Sequence, residues 1–252
     1  MRIASVGHAV FAATMIGLGI LGLVKGGFAL IWEGAPKGLP AQVLAYCCAC
    51  VSLACGIGLF WRRTATFAAR VLLVFLILIL LINGRTILPA PAVLGAWYPA
   101  AQTAVLVAGS SVLYAWIATD RDRRWLGFAT GDQGVRIARV IYALTVIFFG
   151  VSHFVYLNLT TPLVPHWLPA HVFWAYFFGA TYIAAGVAIL IGVVARLAAA
   201  LSAVQMGIFT LLVWVPLVLA GHVSAGNWSE FVISWTLTSG GWMVADSYRG
   251  TS

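Results

Sequence analysis

The sequence predicts an all-α integral membrane protein: eight transmembrane helices forming two four-helix repeats inserted in parallel orientation. Three observations predict it. The 252 residues are 63% hydrophobic and only 8% charged, with a mean hydropathy of +1.03, against roughly 25% charged in a soluble domain. So much apolar surface cannot be hidden in a chain of this size, and lipid must solvate much of it. The chain also reads twice. Leu39-Pro40-Ala41-Gln42, Ala45-Tyr46, Gly56 and Ala65-Thr66-Phe67-Ala68-Ala69 return as Leu168-Pro169-Ala170-His171, Ala175-Tyr176, Gly186 and Ala195-Arg196-Leu197-Ala198-Ala199, about 130 residues later. Finally, the arginines concentrate in alternate connections between apolar runs, the pattern that orients membrane helices.

Eight runs approach the roughly 20 apolar residues that a bilayer crossing needs. They are approximately Ala9–Ile31, Gln42–Phe60, Thr66–Ile82, Trp97–Ile117, Ile137–Leu157, Val172–Val194, Leu197–Ala220 and Phe231–Ala245, the third and eighth being the shortest. The first follows Arg2 as the fifth follows Arg139, so it reads as a retained helix rather than a cleaved signal peptide. The second and sixth are dense in small residues (Ala49, Ser52, Ala54, Gly56 and Gly58; Gly179, Ala180, Ala184, Ala185, Gly186 and Ala188). Helices associate in lipid by close backbone approach at such residues, so these two are expected at the centres of their units. None of the runs alternates with period two, which excludes barrel strands.

The connections divide by charge. One set carries Arg2, Arg62, Arg63, Arg70, Arg121, Arg123, Arg124, Arg136, Arg139, Arg196 and Arg249; the other carries Lys37, Arg85 and histidines. The positive-inside rule places the first set, with both termini, in the cytoplasm of a bacterial inner-membrane protein. Residues 1–118 then form the first membrane repeat, 119–135 a polar cytoplasmic linker and 136–252 the second repeat. Asp120, Asp122 and Asp132 of the linker are expected to pair with its arginines. The net charge of +8 is not a nucleic-acid signal, because no basic face with polar surroundings exists. The outer loops, Glu33–Pro40, Asn83–Pro99, Asn158–Ala170 and Gly221–Glu230, hold most of the prolines and Trp97, Tyr98, Trp167 and Trp228. They are expected to fold back into the headgroup zone.

Chemistry-bearing residues collect on that outer side: His153, His166, His171 and His222, with His8 at the opposite end of the first run. Imidazole binds metals, carries protons and hydrogen-bonds carbonyls. By sequence offset the first copy matches Lys25 to His153, Gln42 to His171 and, more loosely, Arg85 to His222, with Trp97 opposite Trp228. Each copy thus sets polar side chains at the outer ends of its first three spans, and an outward-facing ligand pocket is expected from Lys25, Gln42, Arg85, His153, His171, His222 and Trp228. A Lys25–Glu33 ion pair is the plain structural alternative for the lysine. His153, His171 and His222 could supply three ligands to a metal or haem, but their spacing follows no local motif, and no metal site is assigned. Cys47, Cys48, Cys50 and Cys55 share one apolar run and read as small packing residues. Cys47-x-x-Cys50 has redox or metal spacing but no polar partner in its run.

One half carries a family pattern: Gly150-x-x-His153-Phe154, a loop with Pro162, Pro165 and Pro169, then Tyr182-Ile183-Ala184-Ala185-Gly186-x-Ala188-Ile189-Leu190-Ile191-Gly192, then Ala195-Arg196-Leu197-Ala198-Ala199. This resembles the DoxX-like family of four-helix membrane proteins, and the first half resembles it more loosely from Gly22 to Phe67. The resemblance implies quinone-linked redox chemistry alongside partner subunits of a membrane complex, since family members resemble the membrane subunit of thiosulfate:quinone oxidoreductase. One departure stands against full carry-over: many relatives place an acidic residue in the second span of the unit, where this chain has Tyr182 and, in the first copy, Ser52.

Three functions stay open on these residues, beside an enzyme acting on lipids. One is a redox accessory whose outer pocket binds a quinone headgroup or small anion. Another is a small-solute transporter or exporter built on duplicated bundles. The third is a scaffold subunit of a membrane complex. Substrate, cofactor and catalytic residues are not specified by the sequence.

Overall fold

The computed structural model describes residues 5–26, 39–221 and 225–249, and every regular element among them is helical. Helix α1 (Val6–Lys25) starts at Ser5, whose hydroxyl accepts the His8 N–H at 3.1 Å. It ends where Gly26 turns left-handed (φ 63°) and returns its N–H to the Gly22 carbonyl at 3.0 Å. The first span therefore stops at Lys25, short of the expected Ile31, because a glycine cap overrides a continuing apolar run. Most of the outer loop Glu33–Pro40, and with it the Lys25–Glu33 pair, lies outside the described residues.

Helices α2 (Leu39–Gly58) and α3 (Arg62–Gly84) follow. At 23 residues α3 is longer than the expected Thr66–Ile82, since its first turn carries the arginines that an apolar count leaves out. The outer loop after it is a series of turns closed by a tight helical turn at Leu94–Trp97. Helix α4 (Tyr98–Ile117) opens with Pro99 in its first turn, where a missing N–H costs nothing. The segment expected as a polar linker is folded: Thr119 and Asp122 close a capping box on α5 (Asp120–Trp125), and α6 (Gly131–Val155) begins ahead of the expected boundary at residue 136. After the single turn α7 (Leu157–Thr160) comes α8 (His171–Ile191). Helix α9 (Ala195–Phe209) runs through a π-helical turn at Thr210–Trp214 into α10 (Val215–Leu219). Pro216 supplies the reason: its ring and missing N–H disrupt the hydrogen-bond ladder of the preceding turn. Helix α11 (Ala225–Asp246) starts six residues before the expected Phe231.

Among the described residues, six helical stretches are long and apolar enough to cross a membrane: Val6–Val24, Arg62–Gly84, Leu94–Ile117, Gly131–Val155, His171–Ile191 and Ala195–Leu219. The described part of α2 is apolar but shorter. Helix α11 is long but interrupted by Ser234, Thr236, Thr238 and Ser239, three of them buried, and it packs centrally against α4, α9 and α1.

Neighbours pair as α1 with α2, α2 with α3, α3 with α4, α6 with α8, α8 with α9, and α9 with α11; α4 also packs on α6 and on α11. Glycines set the tightest of these contacts. A Cβ on Gly19 would stand 2.6 Å from Leu53 and 2.8 Å from the Ala49 carbonyl, and one on Gly56 would stand 2.8 Å from Ile16 and the Ala12 carbonyl. In α6 and α8, Gly150 meets Ile183 and the Gly179 carbonyl in the same way, and Gly186 meets Ile147 and the Ala143 carbonyl. These contacts recur about 130 residues apart. Between α4 and α11, Gly109 and Gly240 face each other, a Cβ on Gly109 falling 3.2 Å from the Gly240 Cα. Replacing Gly186 with Ala should cost about 1–3 kcal/mol, because the new methyl must displace backbone. Gly17→Ala, whose Cβ would meet nothing within 4 Å, should be neutral or stabilising by up to about 1 kcal/mol. Denaturation midpoints in detergent measure both, and equal effects would refute the glycine contacts.

Candidate functional site

Interhelical hydrogen bonds gather the arginine-rich connections at one end of the bundle. The Asp246 carboxylate at the end of α11 accepts the Gly7 N–H of α1 at 2.7 Å and pairs with Arg249 at 2.9 Å. Gly7 leaves just enough room, since a Cβ there would stand 2.6 Å from that carboxylate. His8 Nε2 lies 3.1 Å from the Leu59 carbonyl, and Thr66 donates to the Ile117 carbonyl at 3.0 Å. Arg139 of α6 donates to the Ser247 hydroxyl at 2.9 Å and to its carbonyl at 2.5 Å.

Among the linker carboxylates, buried Asp122 pairs with Arg70 of α3 at 2.6 Å, not with an arginine of its own segment as expected. Arg123 and Arg124 sit one and two residues along the same short helix and are exposed, whereas Arg70 reaches in from a neighbouring helix. Burial pushes the Asp122 carboxyl up, but the Thr119 hydroxyl and amide, Arg70 and Tyr114 outweigh it and hold it at about 2.

At the opposite end the described members of the expected pocket each make contacts of their own. Arg85 is exposed at the end of α3. Gln42 is exposed on α2, with its amide toward Gly26. His171 opens α8 with Nε2 3.3 Å from the Pro165 carbonyl, its ring 6.3 Å from that of exposed His166. The Trp228 ring stacks toward Phe231 at 5.6 Å. His222 and the Lys25 side chain lie outside the described residues, within which no three His, Cys, Asp or Glu side chains group to hold a metal. The four cysteines are free thiols, Cys47 and Cys50 exposed and Cys48 and Cys55 buried. The glycine contacts also change the register between halves: with Gly19 in the place of Gly150, His153 falls opposite Gly22 rather than Lys25.

His153 is the expected residue that the fold places within the bundle. It is half-buried on α6, its Nδ1 2.8 Å from the Phe149 carbonyl. A carbonyl only accepts, so Nδ1 carries the hydrogen and the neutral ring keeps an acceptor lone pair on Nε2. Its ring lies 5.7 Å from that of buried Tyr182 on α8. The Tyr182 hydroxyl lies on the side of Gln205 of α9. Gln205 accepts from the Thr181 hydroxyl at 2.8 Å and donates to the Phe178 carbonyl at 3.1 Å. Deeper in, Tyr142 and Ser202 share a hydrogen bond of 3.0 Å, and Thr210 meets Ser234 at 2.7 Å. These polar pairs among α6, α8, α9 and α11 were missed by sequence reasoning. Their signal was present in Gln205, an amide in the middle of an apolar run. At the outer junction, Gly95 donates to the Tyr156 hydroxyl at 2.8 Å, and Tyr98 packs edge-on against Phe148. Chemically, the His153–Tyr182 pair offers a proton acceptor and a phenol next to each other in an apolar setting.

No protein-family model, curated protein or solved structure matches the chain. The Asp122 pairing makes a prediction of its own. A carboxyl held at about 2 against an ordinary 3.8 adds stability above pH 4 that is lost as pH falls through 2. Asp122→Asn should therefore lower the thermal midpoint at neutral pH, and its deficit relative to wild type should shrink below pH 4 and vanish near pH 2. A deficit independent of pH would refute it.

Proposed function

We propose that this chain is an eight-span bacterial inner-membrane protein made of two four-helix units in the same orientation, serving as a quinone-binding accessory subunit of a membrane redox complex. In this reading α2 and α11 span with the six longer apolar stretches, the arginine-rich end and both termini face the cytoplasm, and a pseudo-twofold axis passes near Gly109 and Gly240. The recurring glycine contacts support the two units, and the arginines gathered at one end support the orientation.

One observation carries the functional reading: an ionisable side chain, His153, set inside the bundle against Tyr182, with the Thr181–Gln205 hydrogen bond between α8 and α9 nearby in sequence. Ionisable residues within membrane spans are costly and are retained for binding or proton transfer. The neutral imidazole accepts the hydroxyl hydrogen of a quinol at Nε2, and the imidazolium donates to a quinone carbonyl there. The apolar surroundings suit an isoprenoid quinone, and the resemblance to the DoxX-like family points to the same ligand class. The Arg85 and Gln42 side chains take no part in this narrower site.

Native mass spectrometry of the protein in mild detergent tests it. An adduct of quinone mass is expected, weakened about tenfold by His153→Ala, the worth of one hydrogen bond, and little changed by His171→Ala. A bare mass, or an adduct indifferent to His153→Ala, would reject the redox reading in favour of transport or scaffolding.

A further inference from the structure

At the arginine-rich end, the turn between α8 and α9 forms one wall of an open cleft of about 840 Å³. Arg136 and Arg139 of α6 face it from one side and Arg196 of α9 from the other, with Tyr248 at its edge. Two kinds of surface meet there. The basic groups are Arg136, Arg139 and Arg196, none of which joins either ion pair formed among the described residues, Arg70–Asp122 and Arg249–Asp246. Asp132, at the start of α6, acts on Arg139 only through space. The apolar groups are Val140, Leu190, Ile191, Val194 and Leu197, all exposed.

Arg139 is fixed in place. Its two hydrogen bonds to Ser247 and its position 3.6 Å over the Tyr248 ring leave it little rotational freedom. Arg136 lies one turn away on the same face, and Arg196 is exposed in the first turn of α9. No side chain caps that helix, so its first N–H groups add positive potential on the same side. The corresponding positions of the first half are Ser5, His8 and Thr66, so the charge belongs to the second half alone.

We infer that this cleft binds the phosphate headgroup of an anionic phospholipid, with the arginines on the phosphate and an acyl chain along Val140, Leu190 and Leu197. Guanidinium groups match phosphate oxygens in forked hydrogen bonds. A soluble phosphate would satisfy the arginines but would leave the apolar wall unused, whereas a lipid satisfies both. The cleft lies where membrane-spanning helices end, at the level of the headgroups. It shares no residue with the His153 site, so the two proposals fail independently.

The experiment is native mass spectrometry of the intact protein in mild detergent, titrated separately with phosphatidylglycerol and phosphatidylcholine of equal chain length. Phosphatidylglycerol should be retained at least tenfold better, and Arg136→Ala/Arg196→Ala should lose that preference. Arg136→Lys/Arg196→Lys should keep part of it, and His153→Ala should keep all of it. Both rim arginines are exposed, and unchanged helicity and elution verify that the variants fold. Equal retention of the two lipids, or a preference that survives the double alanine variant, would overturn the site. Inorganic phosphate raising the thermal midpoint of wild type but not of the double variant, with no lipid preference, would overturn the lipid in favour of a soluble phosphate ester.

Discussion

An apolar side chain gains little by exchanging lipid for a neighbouring helix, so helix pairs in a membrane depend on how closely their backbones can approach. In this bundle that approach is set at Gly19, Gly56, Gly150 and Gly186, where helix backbone or an isoleucine fills the space a methyl would need. Much else follows from it. Gly179 has no side chain where His153 sits, since a Cβ there would stand 2.8 Å from the His153 Cβ. The histidine can therefore lie against α8 and face Tyr182. With a larger residue at 179, α6 and α8 would separate and His153 would lose its contact with Tyr182.

The two ends of the bundle use polar groups differently. At the arginine-rich end, side chains tie one helix terminus to another: Asp246 to the start of α1, Arg139 to the end of α11, Asp122 to the side of α3. Helix termini leave backbone groups unsatisfied, and carboxylates and guanidinium groups that reach them both hold register and neutralise charge. Within the bundle, several polar groups instead satisfy each other in pairs of hydroxyl, amide and carbonyl. A buried polar group without a partner is costly in an apolar medium, so such pairs survive only where neighbouring helices are held close.

The glycine contacts recur in the two halves, but the polar residues around them do not. Where the second half has His153 and Tyr182, the first has Gly22 and Ser52, and where it has Arg136, Arg139 and Arg196, the first has Ser5, His8 and Thr66. The same kind of helix-packing contact thus has different polar residues around it in each half. The proposed quinone and lipid sites both fall in the second.

Composition alone determined that lipid is the solvent, because no arrangement of 252 residues hides this much apolar surface in water. The Gly56–Gly186 repeat and the alternating arginines were also legible, since they are local and survive in one dimension, whereas the Gly19–Gly150 match came from the helix contacts. The end of α1 at Lys25 was nearly legible, in Gly26 and Gly27, but the apolar residues beyond them hid it. What only the tertiary structure decided is which polar residues meet. Asp246 and Gly7 are 239 positions apart, Arg70 answers Asp122 from another helix, and His153 meets Tyr182 of α8. A helix in lipid is apolar nearly all round, so its sequence has no wet face to mark its rotation. Rotation and register are then set by backbone contact between helices, and those contacts exist only in the folded bundle.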